Sequence, residues 1–495
     1  MHDFTRLALA LSTLTDVAAA LRQIDHSVAE SRASFDAILL EFLAAGPSPS
    51  SVFDFETRIA DSVRELGRRV VERVYNRLEG EAETLPAKIR VDGEDYRRLN
   101  EKTPHRHVAT LLGTIALWRH GYRPSHRESA EATVFPLEES LGLVGGATPA
   151  LAEAAGRYLA EGGATQRTAL DRLKSHHGVS WGAERLRTVT AELARSMAWV
   201  RHELQVERVL DLLRQADFSR GSTKPVLGVG RDGITLRESH HSFYEVAAVG
   251  TVTVYDRAGK RLGSVYLAAV PESCQPTMSG HLTELIEGVL TAWDGPLPRL
   301  AYVTDAGDNE TAYYHRVLRP MRHPRTGAKL DWVRVVDFYH ASQRLWTMAS
   351  ALFGTDTRAA AAWARRMGKL LKKPNGPFRV LHSAGQLKAR RTLPKTREKA
   401  FRTAYKYLRE RSRFLRYSEY ARVKIPLGSG VTEAACKTVV AQRLKLSGMR
   451  WTKAGAEVIL DLRVMLLGGL WRKAYRRILN GRSDRICRES MGIAA

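Results

Sequence analysis

The chain carries a long β-type segment rich in valine and threonine, Tyr244-Glu-Val-Ala-Ala-Val-Gly-Thr-Val-Thr-Val-Tyr255. A turn sequence, Asp256-Arg-Ala-Gly259, follows it and leads into a second apolar run, Leu262-Gly-Ser-Val-Tyr-Leu-Ala-Ala-Val270. Valine and threonine favour strands, and Asp and Gly favour the tight turn between them. Together with the preceding Val226-Leu-Gly-Val229, these segments predict an antiparallel meander of three strands.

Two further apolar runs continue this pattern. A helix is expected over residues 278–293, a fourth strand over 300–304, another helix after that, and a fifth strand over 332–336. Three antiparallel strands, then helix, strand, helix and strand, is the element order of the RNase H-like fold. We therefore expect an α+β multidomain protein whose catalytic core is a mixed five-stranded sheet with helices.

Three carboxylates lie on elements that could bring them together. Asp232 interrupts the first strand, Asp305 closes the fourth, and Glu433 lies in the first turn of a helix after Gly428-Ser-Gly430. Hard divalent cations take oxygen ligands, and paired cations stabilise the attacking and leaving oxygens of a phosphoryl transfer. The set predicts a two-metal site for Mg²⁺ or Mn²⁺. Taken singly, each aspartate also fits a turn residue, and Glu433 also fits a residue favourable to the helix dipole.

The segment Asp337-Phe-Tyr-His340 follows the fifth strand. The simpler interpretation is that Asp337 caps the next helix. The three-residue spacing also places Asp337 and His340 on one helix face near the crevice, where His340 could contact a phosphate or the leaving hydroxyl. We expect both residues to support the site rather than to ligate metal. Asp308 and Glu310, which follow Asp305, are assigned to a surface turn.

The charge balance points to a polyanionic partner. The 495 residues include 77 Lys or Arg and 53 Asp or Glu, a formal net charge of +24. Double-stranded DNA is the expected partner, with an anionic membrane surface as the rival. No apolar run approaches the ~20 residues of a spanning helix, and the first residues lack a secretory pattern. Three scattered cysteines suit a reducing compartment, so we expect a cytoplasmic, nucleoid-associated protein.

Much of the positive charge is concentrated in residues 388–424, which hold fourteen Lys or Arg and three Glu. Such an excess repels itself without an anionic partner, which favours a phosphate-tracking surface over a merely solvated basic helix. A second candidate lies near Trp451, although a basic helix end with a core tryptophan is the alternative there. The predicted DNA contacts of these two segments are Arg402, Lys406, Arg409, Arg413, Arg443, Lys445, Arg450 and Trp451.

A third candidate for DNA contact lies at residues 168–187. This segment resembles a helix-turn-helix, with Gly178 at the turn and Ser180 capping a second helix that carries Arg185 and Arg187. The DNA-binding form of this motif places its second helix in the major groove. An ordinary helical hairpin is the alternative.

These patterns divide the chain into seven predicted segments. They are an N-terminal helical region (1–85), a small β-containing module without cysteines (86–145), a helix-turn-helix-like DNA-binding region (146–200), the first part of the core (222–345), a basic all-α insertion (346–424), the second part of the core with Glu433 (425–480), and a C-terminal tail (481–495).

The motifs just described occur together in one family. The carrying stretches are Arg231-Asp-Gly233, Val303-Thr-Asp305, Val336-Asp-Phe-Tyr-His340, and Gly428-Ser-Gly-Val-Thr-Glu-Ala-Ala-Cys-Lys437 running on to Arg443-Leu-Lys-Leu-Ser-Gly-Met-Arg-Trp451. With these, the chain resembles bacterial insertion-sequence transposases of the ISKra group, within the mutator-like DDE transposases. The resemblance spans most of the chain. One departure is the segment after residue 120, where such proteins often carry a Cys-x-x-Cys pair and this chain has no cysteine.

The resemblance implies a function. Asp232, Asp305 and Glu433 correspond to the DDE triad that holds two Mg²⁺ or Mn²⁺ ions, and Asp337 with His340 corresponds to the family's Asp-x-x-His signature. Such an enzyme binds the terminal inverted repeats of its element, cleaves there and joins the ends to target DNA, as a homodimer or higher oligomer on DNA. The alternatives are an RNase H-like nuclease without strand transfer and a catalytically silent DNA-binding relic.

Overall fold

The structure is a computed structural model that describes residues 14–80, 82–125, 132–237 and 244–481. Two compact units are present. The first comprises the described residues of Met1–Leu159, Ala164–Leu193 and Arg476–Ala495, and the second comprises those of Ala160–Gly163 and Ala194–Tyr475. The predicted tail lies outside the described residues from position 482 onward. No helix in the described part of the chain has the length and apolar character needed to cross a membrane.

The N-terminal part of the first unit is helical and is followed by a three-stranded antiparallel sheet in the order β1-β2-β3. The elements up to the unit boundary are α1 (Leu14–Ala45), α2 (Pro49–Arg77), β1 (Lys88–Val91), β2 (Glu94–Thr110), β3 (Gly113–Pro124), α3 (Pro136–Ser140), α4 (Pro149–Ala160), α5 (Gln166–His177) and α6 (Ala183–Asp217), the last of which contributes to both units.

The hairpin of β2 and β3 is longer than its sequence pattern predicts. The apolar runs His107-Val-Ala-Thr-Leu-Leu112 and Thr114-Ile-Ala-Leu-Trp-Arg119 predict two short strands with a turn at Gly113, whereas β2 has 17 residues and β3 has 12. The register shifts between Arg98 and Lys102 and again between His105 and Val108. At each shift β2 holds more residues than the facing part of β3, so the regular two-residue alternation that marks a strand is interrupted twice.

The segment predicted as a helix-turn-helix is a short helix followed by a long one. The turn at Gly178 is confirmed, because this residue ends α5 with φ of +63°, a conformation that favours glycine. The amide of the buried Val179 bonds the Leu173 carbonyl at 3.2 Å and completes the helix end. The cap predicted at Ser180 is wrong, since α6 begins only at Ala183 and then runs for 35 residues.

The second unit contains the larger sheet and most of the helices. After α6 its elements are β4 (Val226–Arg237), β5 (Tyr244–Tyr255), β6 (Arg261–Ala269), α7 (Pro276–Ala292), β7 (Arg299–Thr304), α8 (Asp308–Tyr313), β8 (Trp332–Val336), α9 (Phe338–Phe353), α10 (Arg358–Leu371), α11 (Gly376–Ala389), α12 (Lys395–Arg411), α13 (Tyr417–Arg422), α14 (Gly430–Ala435), α15 (Gln442–Leu444), α16 (Lys453–Leu467) and α17 (Trp471–Gly481), the last of which runs past the unit boundary.

The five-stranded sheet has the order β6-β5-β4-β7-β8. Strands β4, β5 and β6 form the predicted antiparallel meander, and β7 and β8 run parallel to β4. The prediction of an α+β protein with a mixed five-stranded sheet is therefore confirmed.

The sheet is buried on both faces, and its strands contribute to two separate apolar cores. In β7, Leu300 and Tyr302 belong to the core that contains α7. The alternate residues Ala301 and Val303 belong to the core built with helices α9 to α13. Successive side chains of a strand point to opposite faces, so one short apolar run serves both cores. Burial on both faces also explains why these strands read as nearly continuous apolar runs.

Candidate active site

The sheet brings three aspartates to one level on neighbouring strands. Val229 on β4 pairs with Tyr302 on β7. Three residues further along each chain segment, the same parallel register aligns Asp232 with Asp305. The register of β7 and β8 likewise aligns Asp305 with Asp337, whose amide donates to the Thr304 carbonyl at 2.8 Å. Carboxyl ends of parallel strands open into one crevice, which is where α/β sheets bind ligands.

Helix α14 reaches this edge because of a glycine in β4. A Cβ on Gly230 would overlap the hydroxyl of Thr432 in α14. The same hydroxyl lies 2.8 Å from Thr251 Oγ1 on β5, so the first turn of α14 rests directly on the sheet. Glu433, the next residue of α14, is thereby brought close enough to Asp232 for its charge to act on that carboxyl.

Asp232 is held by one hydrogen bond on each carboxylate oxygen. Its Oδ1 accepts from the Gly233 amide at 2.7 Å, and its Oδ2 accepts from the Cys436 thiol at 3.5 Å. Burial raises the pKa of Asp232, and the negative charges of Asp305 and Glu433 add to the increase. Burial also raises the pKa of the Cys436 thiol, with Asp232 adding to it, so the thiol acts as a neutral donor.

Asp305 begins a constrained turn at the end of β7. Its Oδ1 accepts from the Gly307 amide at 2.9 Å, and its backbone carbonyl accepts from the Tyr407 hydroxyl at 2.7 Å. Between them, Ala306 has φ of +64°, in the left-handed region that residues with a Cβ rarely adopt. Backbone conformations of this kind concentrate at functional sites, because the surrounding structure must hold them in place.

Glu310 departs from its predicted place on a surface turn. Asp308 is exposed as expected, but Glu310 is only 7% exposed and its carboxylate lies 4.0 Å from Arg231 Nε. A Cβ on Gly307 would overlap this carboxylate. Burial raises the pKa of Glu310, and Asp305 adds to the increase. The sequence conceals this because α8 has six residues, too few to display a periodic buried face.

Asp337 caps a helix and also braces the neighbouring loop. Its Oδ1 accepts from the His340 amide at 2.9 Å at the start of α9, which confirms the simpler interpretation from sequence. Its Oδ2 accepts both the amide and the hydroxyl of Ser429, the latter at 2.9 Å. The residue is 1% exposed. Its carboxylate therefore ties the start of α9 to the loop that precedes α14.

Glu433 lies on the solvent side of this arrangement and is oriented by Ser429. Its Oε1 lies 2.8 Å from the Ser429 hydroxyl, whose single hydrogen is shared between Glu433 and Asp337, and 3.8 Å from His340 Nε2. Ser429 thus contacts two carboxylates, Asp337 and Glu433, although nothing in the sequence distinguishes it from an ordinary helix cap.

The tightest potential metal-binding group differs from the predicted one. Among the described residues, one group of three His, Cys, Asp or Glu side chains brings its ligand atoms within 4.8 Å of one another, and it consists of Asp337, His340 and Glu433. The ligand atoms of the predicted set, Asp232, Asp305 and Glu433, do not all lie within this 4.8 Å of one another. The predicted ligands and this compact group therefore share Glu433.

Four predicted DNA-contacting cations lie along one exposed strip. Arg402, Lys406 and Arg409 are exposed on α12, and Arg413 is exposed in the turn that follows. Their three- and four-residue spacing puts them on one side of the helix, and we call these four residues the α12 basic face. The buried residues of α12 pack on the opposite side against the core of α9 to α13.

The two arginines of the predicted recognition helix are committed to contacts inside the first unit. Arg185 donates to the carbonyls of His107 at 2.7 Å and Gly146 at 3.2 Å. Arg187 donates to the Gln166 side chain at 3.0 Å. The Arg185 contacts connect α6 with the three-stranded sheet, and the Arg187 contact connects α6 with α5 on the exposed surface.

The basic segment near Trp451 divides between core and surface. Arg443 is fully buried, with its guanidinium 5.0 Å from the centre of the Trp451 ring, and burial lowers the pKa of Arg443 to about 10. Trp451 is half-buried and donates to a backbone carbonyl at 3.0 Å. A DNA contact by Arg443 does not fit this burial, whereas Lys445 and Arg450 are exposed.

The acidic side chains at the sheet edge form what we call the carboxylate cluster, Asp232, Asp305, Glu310 and Glu433. Carboxylates this close disfavour one another's ionised forms, so a hard divalent cation among them would lower their free energy. Their oxygens are the donors that such a cation prefers. No protein-family model matches the chain, and no curated protein matches its sequence.

Proposed function

We propose that the protein is a DDE-type DNA transposase, similar to the ISKra group, with an RNase H-like core. The observation that carries the proposal is the alignment of Asp232 and Asp305 on adjacent parallel strands, with Glu433 brought beside them by α14. The strand order, three antiparallel strands followed by two parallel ones, is the order expected for that core. The three acids are also the residues that the family motifs single out.

The proposed cofactor is a pair of divalent cations, Mg²⁺ or Mn²⁺, held by Asp232, Asp305 and Glu433. The donor set fits, because all its ligand atoms are carboxylate oxygens and burial beside like charges raises the pKa of Asp232. Such cations, when bound, supply an activated oxygen nucleophile and stabilise charge at the reacting phosphate.

The protein's own contribution to the reaction is geometric. The amides of Gly233 and Gly307 orient the two aspartates, and Ser429 orients Glu433. Donors fixed in this way need little reorganisation when a scissile phosphate arrives, which is how preorganised sites lower a barrier. A 3′-hydroxyl released by cleavage would then attack target DNA in the same crevice.

The α12 basic face is the proposed DNA-binding surface, supported by Lys445 and Arg450. Exposed cations at helical spacing follow a phosphate backbone without reading its sequence. The proposed partners are the ends of the element and target DNA, bound by a homodimer or higher oligomer in the bacterial cytoplasm. The net charge of +24 supports such a partner.

The decisive experiment incubates the protein with Mg²⁺ and a labelled duplex that carries the inverted repeats flanking the coding locus. We expect cleavage at the repeat boundary and joined products, both lost in Glu433→Ala. The matched control is Asp308→Ala, since Asp308 is an exposed acid three residues after Asp305. Cleavage without joining would favour a nuclease, and binding without cleavage would favour a silent relic. Cleavage retained by Asp232→Ala, Asp305→Ala and Glu433→Ala would refute the assigned triad.

A further inference from the structure

The compact group Asp337, His340 and Glu433 combines side chains from three elements. Asp337 follows β8, His340 lies in the first turn of α9, and Glu433 lies in α14. Their ligand atoms lie within 4.8 Å of one another. Ligands about 2.1 Å from a common cation lie roughly 3–4 Å apart, so binding requires these side-chain ends to close by about 1 Å. His340 and Glu433 are both partly exposed, which leaves them room for that movement.

The backbone of this group is already fixed. Asp337 holds the His340 amide through Oδ1, and Ser429 connects Asp337 Oδ2 with Glu433 Oε1. Among the described residues, the His340 amide is the one hydrogen-bond donor to Oδ1, so this oxygen keeps a lone pair for a further ligand bond. The hydrogen bonds that hold the three side chains in place therefore leave Asp337 Oδ1 with a lone pair that a metal ion can use.

The contact between His340 and Glu433 is not itself a hydrogen bond. Nε2 and Oε1 are 3.8 Å apart, beyond the 2.7–3.2 Å range typical of N–H···O hydrogen bonds. A ring nitrogen and a carboxylate oxygen facing each other across such a gap can both bind a small third species. The Asp337 carboxylate, at the same gap and 1% exposed, gives that species a second negative neighbour.

We propose that Asp337, His340 and Glu433 form a mixed nitrogen–oxygen site for a first-row transition dication such as Mn²⁺. Imidazole nitrogen is a softer ligand than carboxylate oxygen, and Mg²⁺ gives up its water shell reluctantly. The site therefore favours Mn²⁺ over Mg²⁺, whereas Asp232 and Asp305 offer oxygen alone. The inference deepens the proposed function by making His340 a metal ligand, and it rests on that function only in sharing Glu433.

The test is pulsed electron paramagnetic resonance on the full-length protein loaded with Mn²⁺ and without DNA. We expect modulation from a directly bound imidazole nitrogen in the wild type. The signal should disappear in His340→Ala and persist in Asp305→Ala, which alters only the oxygen ligands of the predicted triad. His382→Ala is the matched control, because His382 is an exposed histidine on α11.

A second variant guards against misfolding of the first. His340→Asp keeps three ligands but makes them all oxygen, so Mn²⁺ should bind without nitrogen modulation. The preference for Mn²⁺ over Mg²⁺, measured by isothermal titration calorimetry, should fall roughly tenfold or more in this variant. Circular dichroism would establish that each variant is folded.

The inference is overturned if Mn²⁺ binds the wild type without nitrogen modulation, if the modulation survives His340→Ala, or if Mn²⁺ does not bind. Failure of the proposed function is distinguishable from this. Mg²⁺-dependent strand transfer without nitrogen modulation would refute the mixed site alone. Nitrogen-coupled Mn²⁺ in a protein that joins no DNA would refute the transposase alone.

Discussion

The carboxylate cluster and the α12 basic face carry opposite charges and are held in opposite ways. In the cluster, Asp232 and Glu310 are largely buried, Glu433 is exposed beside the Ser429 hydroxyl, and each of these carboxylates has a defined neighbour. On the α12 basic face the cations are exposed, and Lys406 lies 3.8 Å from the exposed Glu410, one turn along the same helix. Exposed pairs of this kind contribute little to stability.

This difference indicates a division of labour. Fixed groups suit catalysis, because their geometry is set before a substrate arrives. Mobile exposed cations suit binding, because a phosphate backbone presents many equivalent positions. Substitutions in the cluster should therefore affect the chemical step, and substitutions on the α12 basic face should affect affinity.

The strongest test of this division is Asp305→Ala. We expect single-turnover cleavage to fall by roughly a thousandfold or more, because the variant loses a cation ligand aligned with Asp232. Affinity for the repeat duplex, measured by gel shift without metal, should be unchanged. Asp308→Ala should leave both quantities at wild-type values. A parallel loss of binding and cleavage in Asp305→Ala would break the proposed separation.

A second prediction concerns an arginine that burial separates from the α12 basic face. Arg443→Ala removes a fully buried side chain beside Trp451, so the free energy of unfolding should fall by about 2–4 kcal/mol. Urea denaturation measures this change. The exposed neighbour Arg450 is the control, and Arg450→Ala should leave the unfolding midpoint unchanged. If Arg443→Ala instead weakened DNA binding with unaltered stability, the burial argument would be wrong.

The third prediction addresses the α12 basic face itself. Replacing Arg402, Lys406 and Arg409 together by alanine should weaken binding roughly 10- to 100-fold at moderate salt and lower the slope of log affinity against log salt by about 2–3. The rate of cleavage at saturating DNA should stay the same. Fluorescence anisotropy over a salt series measures the slope. The control is a double alanine variant of the exposed pair Lys260 and Arg261 on the β5–β6 hairpin.

The smallest expected effect is that of Ser429→Ala. Losing the hydroxyl frees Glu433 while the Ser429 amide still holds Asp337, so kcat should fall about tenfold with KM unchanged. Steady-state kinetics separates the two parameters. Thr347→Ala is the control, since that hydroxyl bonds a carbonyl of its own helix. An effect on KM alone would mean that Ser429 contacts DNA and does not orient Glu433.

Prediction from the sequence was most successful where local pattern and burial agree. The five strands of the large sheet are apolar runs because both faces of the sheet are covered. The bulged hairpin of β2 and β3 was predicted only in part, because its register shifts twice. The cap predicted at Ser180 is wrong because α6 begins only at Ala183, three residues further on.

The sequence by itself determined the order of the strands, the excess of positive charge and the placement of Asp232 and Asp305 at the sheet. These features depend on residue type and short-range spacing, which the chain displays directly. Only the tertiary structure decided that Glu310 is buried and that Arg443 belongs to the core. Both outcomes depend on which distant segments cover a side chain. The contact that seats α14 joins Thr251 to Thr432, 181 residues apart, and no local period records a pairing of that range.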